Sequence, residues 1–501
     1  MPLPLNLLSL PTEIISNIAD HLPTLDLINF RSTCSYFQEL SLRTFGTRCF
    51  SSRQFMIFQV SLDALQGISE SDRLRPYVQK LGIGIDSYEP LHRGNVYVHE
   101  VGLESQLSTK SRDIQARYDE AYYELVDEQR YLRSFGTATH IIAKALSRFH
   151  NCKHISIVAD GRGSWGRNIL KHTTNRLPSC KSSIGFSKFE TWASTVGILL
   201  AAIASSGIEL HTLSSNINLE ECTEGIPFSC FDVPKRQLLQ LALRTYRLRE
   251  LSLMLTDYSD MDPDHEFDSV HHDLLVPFMV SMGDLERLSL GFLHTSNADL
   301  KIYAISKLSF PFLKYLKLEW IVIDWNPLLE FIEQQTALEH LDLTEIYLRD
   351  SKRSEIFEGL LRKDPPLQSL RIGYLKEYAI PKWYYMRDMC TLIPGTSAKR
   401  RSNTSIALDG TKEIRRVLED YVKNMDSYRD DEESEEEDEE EEGDGGEEGE
   451  EGEEVQGHED DSDDAGRFDE ELGVIYGDMD YNRDYGPDTD SSEDGSTEDD
   501  L

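Results

Sequence analysis

The feature that most constrains this chain is an apolar triplet at relative positions one, four and six that recurs from Val78 to Ile372. It occurs as Val78-Leu81-Ile83, Cys152-Ile155-Ile157, Leu248-Leu251-Leu253, Leu285-Leu288-Leu290, Leu313-Leu316-Leu318, Leu338-Leu341-Leu343 and Leu367-Leu370-Ile372. Leu210-Leu213-Ser215 is a weaker instance. Residues two apart in an extended segment share a face, so positions four and six mark one side of a short strand. Helical patterns fall between the triplets, most clearly over Trp192 to Ser205, Val270 to Met282, Leu328 to Gln335 and Glu355 to Arg362. A strand–helix unit of this size cannot bury its own apolar side and must stack on the next one. The expectation is an α/β chain whose units pile up as an irregular solenoid.

The last six triplets start 38, 37, 28, 25 and 29 residues apart. The later intervals fit the ~20–29 residue period of leucine-rich repeats, and the earlier ones need insertions. One insertion contains Arg112 to Arg133, which reads as a long charged helix carrying Tyr118, Tyr122, Leu125 and Leu132, with Thr109 placed to cap it. After the last triplet, Ile414, Val417, Leu418, Tyr421, Val422 and Met425 follow a helical stripe that suits a cap over the end of the stack.

Charge divides the chain sharply. The 501 residues carry a formal net charge of -39. From Asp430 to Leu501 there are 37 acidic residues against Arg467 and Arg483, a net of -35. The 429 residues before it hold 53 acids and 49 bases, a net of -4. So little apolar surface among so many like charges predicts a disordered polyacidic tail. The near-neutral body gives no support to a basic nucleic-acid surface.

Several classes are set aside on other grounds. The longest apolar run, Val196 to Ile208, is shorter than the ~18 residues a membrane span needs. MPLPLNLLSLP lacks a basic start and meets Glu13 at once, unlike a secretory signal. The seven cysteines form no Cys-x-x-Cys pair, so free thiols are expected, neither disulfide frame nor zinc site, in a cytoplasmic and/or nuclear protein.

The first fifty residues read as three short helices. Pro11 starts the first, with Thr12 and Glu13 in its first turn. Leu10, Ile14, Ile18 and Leu22 recur every four residues, and Ile15 widens the stripe beyond what two small helices can cover. Leu25, Leu27, Ile28 and Phe30 form a second set. A third helix from near Thr33 carries Cys34, Phe37, Leu40 and Leu42. So small a unit needs a partner for its core.

Motifs for chemistry are weak. Gly161-Arg162-Gly163-Ser164-Trp165-Gly166 follows a strand and fits G-x-G-x-x-G, with Glu190 loosely where a ribose-binding acid sits in dinucleotide sites. The next helix is short, however, and the chain continues as repeats. Asp260-x-Asp262-x-Asp264 begins like a calcium loop but has His265 and His271 where glycine and glutamate are required. His271-His272-Asp273 is more simply a hydrophilic insertion. Lys399-Arg400-Arg401 with Lys412, Arg415 and Arg416 is a loose basic cluster of the nuclear-import kind. No catalytic, cofactor-binding or metal-binding constellation is expected.

The opening helices resemble an F-box: Leu10-Pro11-x-Glu13-Ile14-x-x-x-Ile18-x-x-x-Leu22, then Asp26-Leu27, then Phe30-Arg31-x-Thr33-Cys34-x-x-Phe37. With the repeats behind it, the chain resembles the fungal F-box proteins with degenerate leucine-rich repeats. The tryptophan often found late in an F-box is absent, with Phe45 as its stand-in. Ile321 and Ile346 replace the asparagine or cysteine usual at repeat position nine. The resemblance implies a non-enzymatic receptor in three parts: F-box 4–50, leucine-rich-repeat-like domain with cap helix 51–427, and acidic tail 428–501. It implies docking on the Skp adaptor and through it a cullin, while the repeats hold an unknown protein substrate. Leu10, Pro11, Ile14, Ile18, Leu22 and Leu27 would contact the adaptor or set up that contact.

Two other readings stand beside it. An acidic-tailed leucine-rich-repeat chaperone would neutralise histones or another basic partner by charge. An enzyme would use the glycine-rich loop.

Overall fold

The computed structural model describes residues 7–88, 109–159, 163–178, 185–217, 225–256, 275–293, 308–349, 353–378, 405–420 and 422–423. The acidic segment, the Asp260 to Asp273 motifs and Lys399 to Arg401 lie outside the described residues.

Four helices open the chain: α1 (Thr12–His21), α2 (Thr24–Thr33), α3 (Ser35–Leu40) and α4 (Leu42–Phe50). Pro11 and Pro23 precede the first two, where a missing N–H is harmless. The expected third helix is two. Ser41 donates its hydroxyl to the Phe37 carbonyl at 2.5 Å and receives Arg31 Nη1 at 3.2 Å, which breaks the run. Beyond it α4 turns Phe45, Cys49 and Phe50 into the main core.

The sheet follows without a linker. β1 (Ser52–Met56), β2 (Lys80–Gly84), β3 (His154–Val158), β4 (Thr212–Asn216), β6 (Glu250–Thr256), β7 (Arg287–Leu293), β8 (Tyr315–Asp324), β9 (His340–Arg349) and β10 (Ser369–Tyr378) are neighbours in chain order. All of these pairs are parallel. The short β5 (Ile226–Pro227) pairs off this path with β6, and β11 (Ser405–Asp409) closes the far edge antiparallel to β10.

The triplet spacing resolves into rows. Leu81, Ile155, Leu213, Leu251, Leu288, Leu316, Leu341 and Leu370 are successive register partners, each buried. Leu210-Leu213-Ser215, weak as sequence, is in full register as β4. Its Ser215 Oγ accepts the Met254 N–H at 2.7 Å where the β4–β6 pairing ends. The Arg53 position of β1 falls in the leucine row opposite Leu81.

Helices return the chain between strands. α5 (Gln59–Glu70), α6 (Thr109–Ser134), α7 (Thr137–Arg148), α8 (Arg167–Thr174), α9 (Gly185–Ser206), α10 (Lys235–Thr245), α11 (Leu275–Met279), α12 (Trp325–Gln334) and α13 (Arg353–Arg362) do so in turn. A last helix over 411–420 buries Ile414 and Leu418 on the end of the core. Ile15 and Ala19 of α1, and Leu27 of α2, are also buried, and Ala19 and Leu27 join the same core as the sheet leucines. Gly46 of α4 lies against Tyr77, whose ring a Cβ there would overlap. The helical unit is thus packed directly on the start of the sheet.

Candidate functional site

Two surfaces stand out. The first is the outer side of α1. The stripe that seemed too wide for its neighbours is split between two faces: Ile15 and Ala19 point into the core at 1% and 0% exposure, while Ile14 is 46% exposed. Ile14, Asn17, Ile18, His21 and Leu22 line a shallow groove of about 340 Å³. Leu7 and Leu8, in the 3₁₀ turn before α1, and Leu25 of α2 are exposed as well. This much open apolar surface on a small helical unit is the mark of an interaction site.

The inner framework holds that groove in shape. Arg48 Nη2 donates to the Asp20 carbonyl at 2.8 Å and Nη1 to that of Leu22, satisfying carbonyls at the end of α1. Arg31 Nη1 donates to the Gln38 carbonyl at 2.8 Å, and the guanidinium lies 3.9 Å from the ring centre of Phe45. Phe45 is itself buried, its ring centre 5.4 Å from that of Phe50. Phe30 and Phe37 stack at 4.4 Å. Of the residues singled out in sequence, Ile14, Ile18 and Leu22 share the groove, and Leu10 and Pro11 lie just before α1. Leu27 does not share that surface: at 0% exposure it can only support α2 from within. The exposed Leu7, Leu8 and Leu25 are additions that a four-residue periodicity does not pick out.

The second surface is the face of the sheet opposite the apolar rows. Ser214, Ser252 and Ser289 are register partners that make a low hydroxyl floor from β4 to β7. Larger groups follow on later strands. The Arg287 guanidinium lies 4.6 Å from the Tyr315 ring centre, Lys317 pairs with Glu319 at 2.7 Å, and Arg371 faces Asp342 at 3.9 Å. Burial, and next the Asp342 charge, hold the Tyr315 hydroxyl above its usual pKa.

Over β1 and β2 this face is already filled. The Trp165 backbone N–H donates to the Gln54 carbonyl at 2.9 Å and Ser164 bridges Gln54, so Ser164 and Trp165 lie along β1. Side chains added at Gly82 and Gly84 would meet Gln54, Val158, Ser164 and Asp86 at 2.9–3.3 Å. Gly166 adopts φ +87 before α8, which has 8 residues. The described part of this segment, residues 163–166, is thus packed against β1 and β2. The charged helix α6 adds to the same end: Tyr122 and Val126 form a second small core with Met56, Phe58, Tyr88 and Leu170.

Burial raises the thiol pKa of Cys49, of Cys152 to about 12, and of Cys230 further, so none is poised as a nucleophile. Among the described residues no cluster of His, Cys, Asp and Glu could hold a metal ion, and no helix is long and apolar enough to cross a membrane.

Comparison with known families agrees with the groove. Residues 7–43 match the family model of the F-box domain, so the chain carries an F-box. F-box domains in general bind Skp adaptor proteins and mark substrate-recognition subunits of Skp–cullin–F-box ubiquitin ligases. No curated protein matches the chain.

Proposed function

We propose that this chain is a non-catalytic substrate receptor of a cullin–RING ubiquitin ligase, with α1 docked on the Skp adaptor and the sheet holding a protein substrate. The observation that carries the reading is the split stripe of α1 inside the matched F-box: one face builds the core, the other lies open. On this reading Leu10, Pro11, Ile14, Ile18 and Leu22 meet the adaptor, and Leu27 sets the angle of α2. Residues 4–50 are the F-box, 51–427 a leucine-rich-repeat-like solenoid of the fungal type, and 428–501 the acidic tail. The solenoid reading rests on the parallel rows of leucine in chain order. Substrate is held by the open face between β4 and β10, and a bound substrate is brought near the ubiquitin-loading machinery by effective concentration alone.

Co-purification with a Skp adaptor tests this, comparing wild type with Leu10→Ala/Pro11→Ala. Adaptor retained by the wild type and lost from the variant is expected, and a wild type that never binds adaptor overturns the reading. The net charge of -35 after residue 429 favours one alternative, a chaperone for histones or other basic proteins. Salt-sensitive histone binding without adaptor binding would select it.

A further inference from the structure

The inner face of α10 is made by Leu238, Leu241 and Thr245, which pack inward. Its outer face should be polar. Instead Leu239 is 65% exposed and Leu243 72%, followed one turn on by Tyr246 at 53%. The Thr245 hydroxyl lies 3.3 Å from that of Ser281, and Val280, next to Ser281 in the chain, is 65% exposed. Leu239, Leu243 and Tyr246, at i, i+4 and i+7, make an open apolar stripe along α10, away from the F-box groove. Cations flank it. Lys235 and Arg236 stand exposed at the start of α10 with no ion-pair partner among the described residues, and Arg247 at its end pairs with Glu209 at 3.4 Å.

We propose that this stripe is the docking site of the chain's own segment Phe468–Tyr485. Between Asp430 and Arg467 the acidic stretch contains a single large apolar side chain, Val455. Then Phe468, Leu472, Val474, Ile475, Tyr476 and Met479 follow within a few residues of Asp469, Glu470, Glu471, Asp478 and Asp480. Apolar groups interleaved with acids are the complement of apolar groups flanked by bases. Reach is ample. Residues 424–467 can span up to ~145 Å at ~3.3 Å each. The path from β11 to β6 crosses five strand spacings of ~4.8 Å and one layer of ~10 Å. Tethering raises the local concentration of the segment to the order of millimolar, so a weak contact is enough to cover the stripe. This inference is independent of the F-box reading, because α10 and the acidic segment take no part in adaptor docking.

The test uses the full-length protein with the photo-reactive residue p-benzoylphenylalanine in place of Leu243, an exposed position whose replacement leaves the core intact. Irradiation should join residue 243 to residues 468–485 of the same chain, with a yield independent of protein concentration. The triple variant Leu472→Ser/Val474→Ser/Ile475→Ser should lower that yield roughly tenfold, as expected when apolar anchors are removed from a contact. Raising the salt should lower it too. Amide exchange across residues 235–247 should be slower in the otherwise wild-type chain than in the triple variant. Cross-links to residues 257–274, or a dimeric adduct that grows with concentration, would assign the stripe to another occupant and overturn the proposal. Exchange and cross-linking unchanged by the triple variant would do the same.

Discussion

At the scale of single residues, the clearest division is between Ile14 and Leu27. Ile14 is 46% exposed, so Ile14→Asp should change stability by no more than about 0.5 kcal/mol, as for other surface substitutions. It should nevertheless abolish capture of the Skp adaptor, because a carboxylate in a closed apolar seam is desolvated without a partner. Pull-down alongside a thermal melt checks both halves, and full capture by a folded Ile14→Asp protein would remove α1 from the interface. Gln335 shows how one polar group can organise the interior. At 0% exposure its Nε2 donates to the carbonyls of Leu308 at 3.1 Å and Phe331 at 3.0 Å, while its Oε1 accepts the Phe310 N–H at 2.8 Å. Gln335→Leu strands all three partners and should destabilise by about 2–4 kcal/mol, read from urea unfolding. Glu345 makes the opposite case. Its φ of 55 lies in the left-handed region, as does that of Trp320 at 62, and each makes an irregular step that returns Ile346 or Ile321 to the core. Glu345→Gly should raise stability by about 0.5–1 kcal/mol, the left-handed penalty less the added chain entropy of glycine. A melting temperature that falls in this variant would show that the Glu345 side chain outweighs its backbone strain.

At the scale of elements, the strand starts carry a pH response. His154 and His211 stand at the starts of β3 and β4. Both have pKa values below the ordinary 6.5, through partial burial first and then through cations. Lys80 acts on His154 against Glu250; Lys153, Arg249 and His154 act on His211 against Glu209. Each imidazole therefore binds a proton more readily in the unfolded chain. Their contribution is complete above pH 6.5 and drains away as the pH falls through the lower folded values. The urea midpoint should decline between pH 7 and pH 5, and His154→Gln/His211→Gln should flatten that decline. An identical slope in the double variant would place the acid response elsewhere. The same strands show what a sequence can disclose. Triplets with leucine or isoleucine at positions four and six announced β2, β3 and β6 to β10, because burial on one face requires that alternation. β1 stayed hidden because Arg53 occupies the position where its neighbours keep leucine. Arg53 fits there with its guanidinium 5.2 Å from the Phe50 ring centre and 5.7 Å from that of Trp165, the latter delivered by the glycine-rich loop over a hundred residues later. No local pattern could signal that. Nor do Trp320 and Glu345 advertise a left-handed turn, since glycine or asparagine is the usual sign. The F-box groove was half legible: periodicity found Ile14, Ile18 and Leu22, but only packing separates them from Leu27.

At the scale of the whole molecule, lysine is absent before Lys80 and after Lys423, although Arg31, Arg43, Arg48, Arg53, Arg73 and Arg75 keep the N-terminal stretch well supplied with positive charge. Arginine offers no ε-amine for ubiquitin attachment. In a receptor held beside a ubiquitin-transfer site, both ends of the chain would thus be poor targets. Arg467→Lys/Arg483→Lys should shorten the protein's lifetime in cells, and only where the adaptor is bound. An unchanged half-life with the ligase active would leave the lysine gaps unexplained. The order of the strands has a mechanical meaning as well. Every strand from β1 to β10 on the main path lies beside its neighbour in the chain, so the two termini belong to opposite extremes of the sheet. A pull on the C-terminal end would load the hydrogen bonds of one edge strand at a time, like opening a zipper. The molecule should come apart under force in small successive steps beginning with the helix over 411–420 and then β11, and the F-box at the other extreme should be the last part to let go.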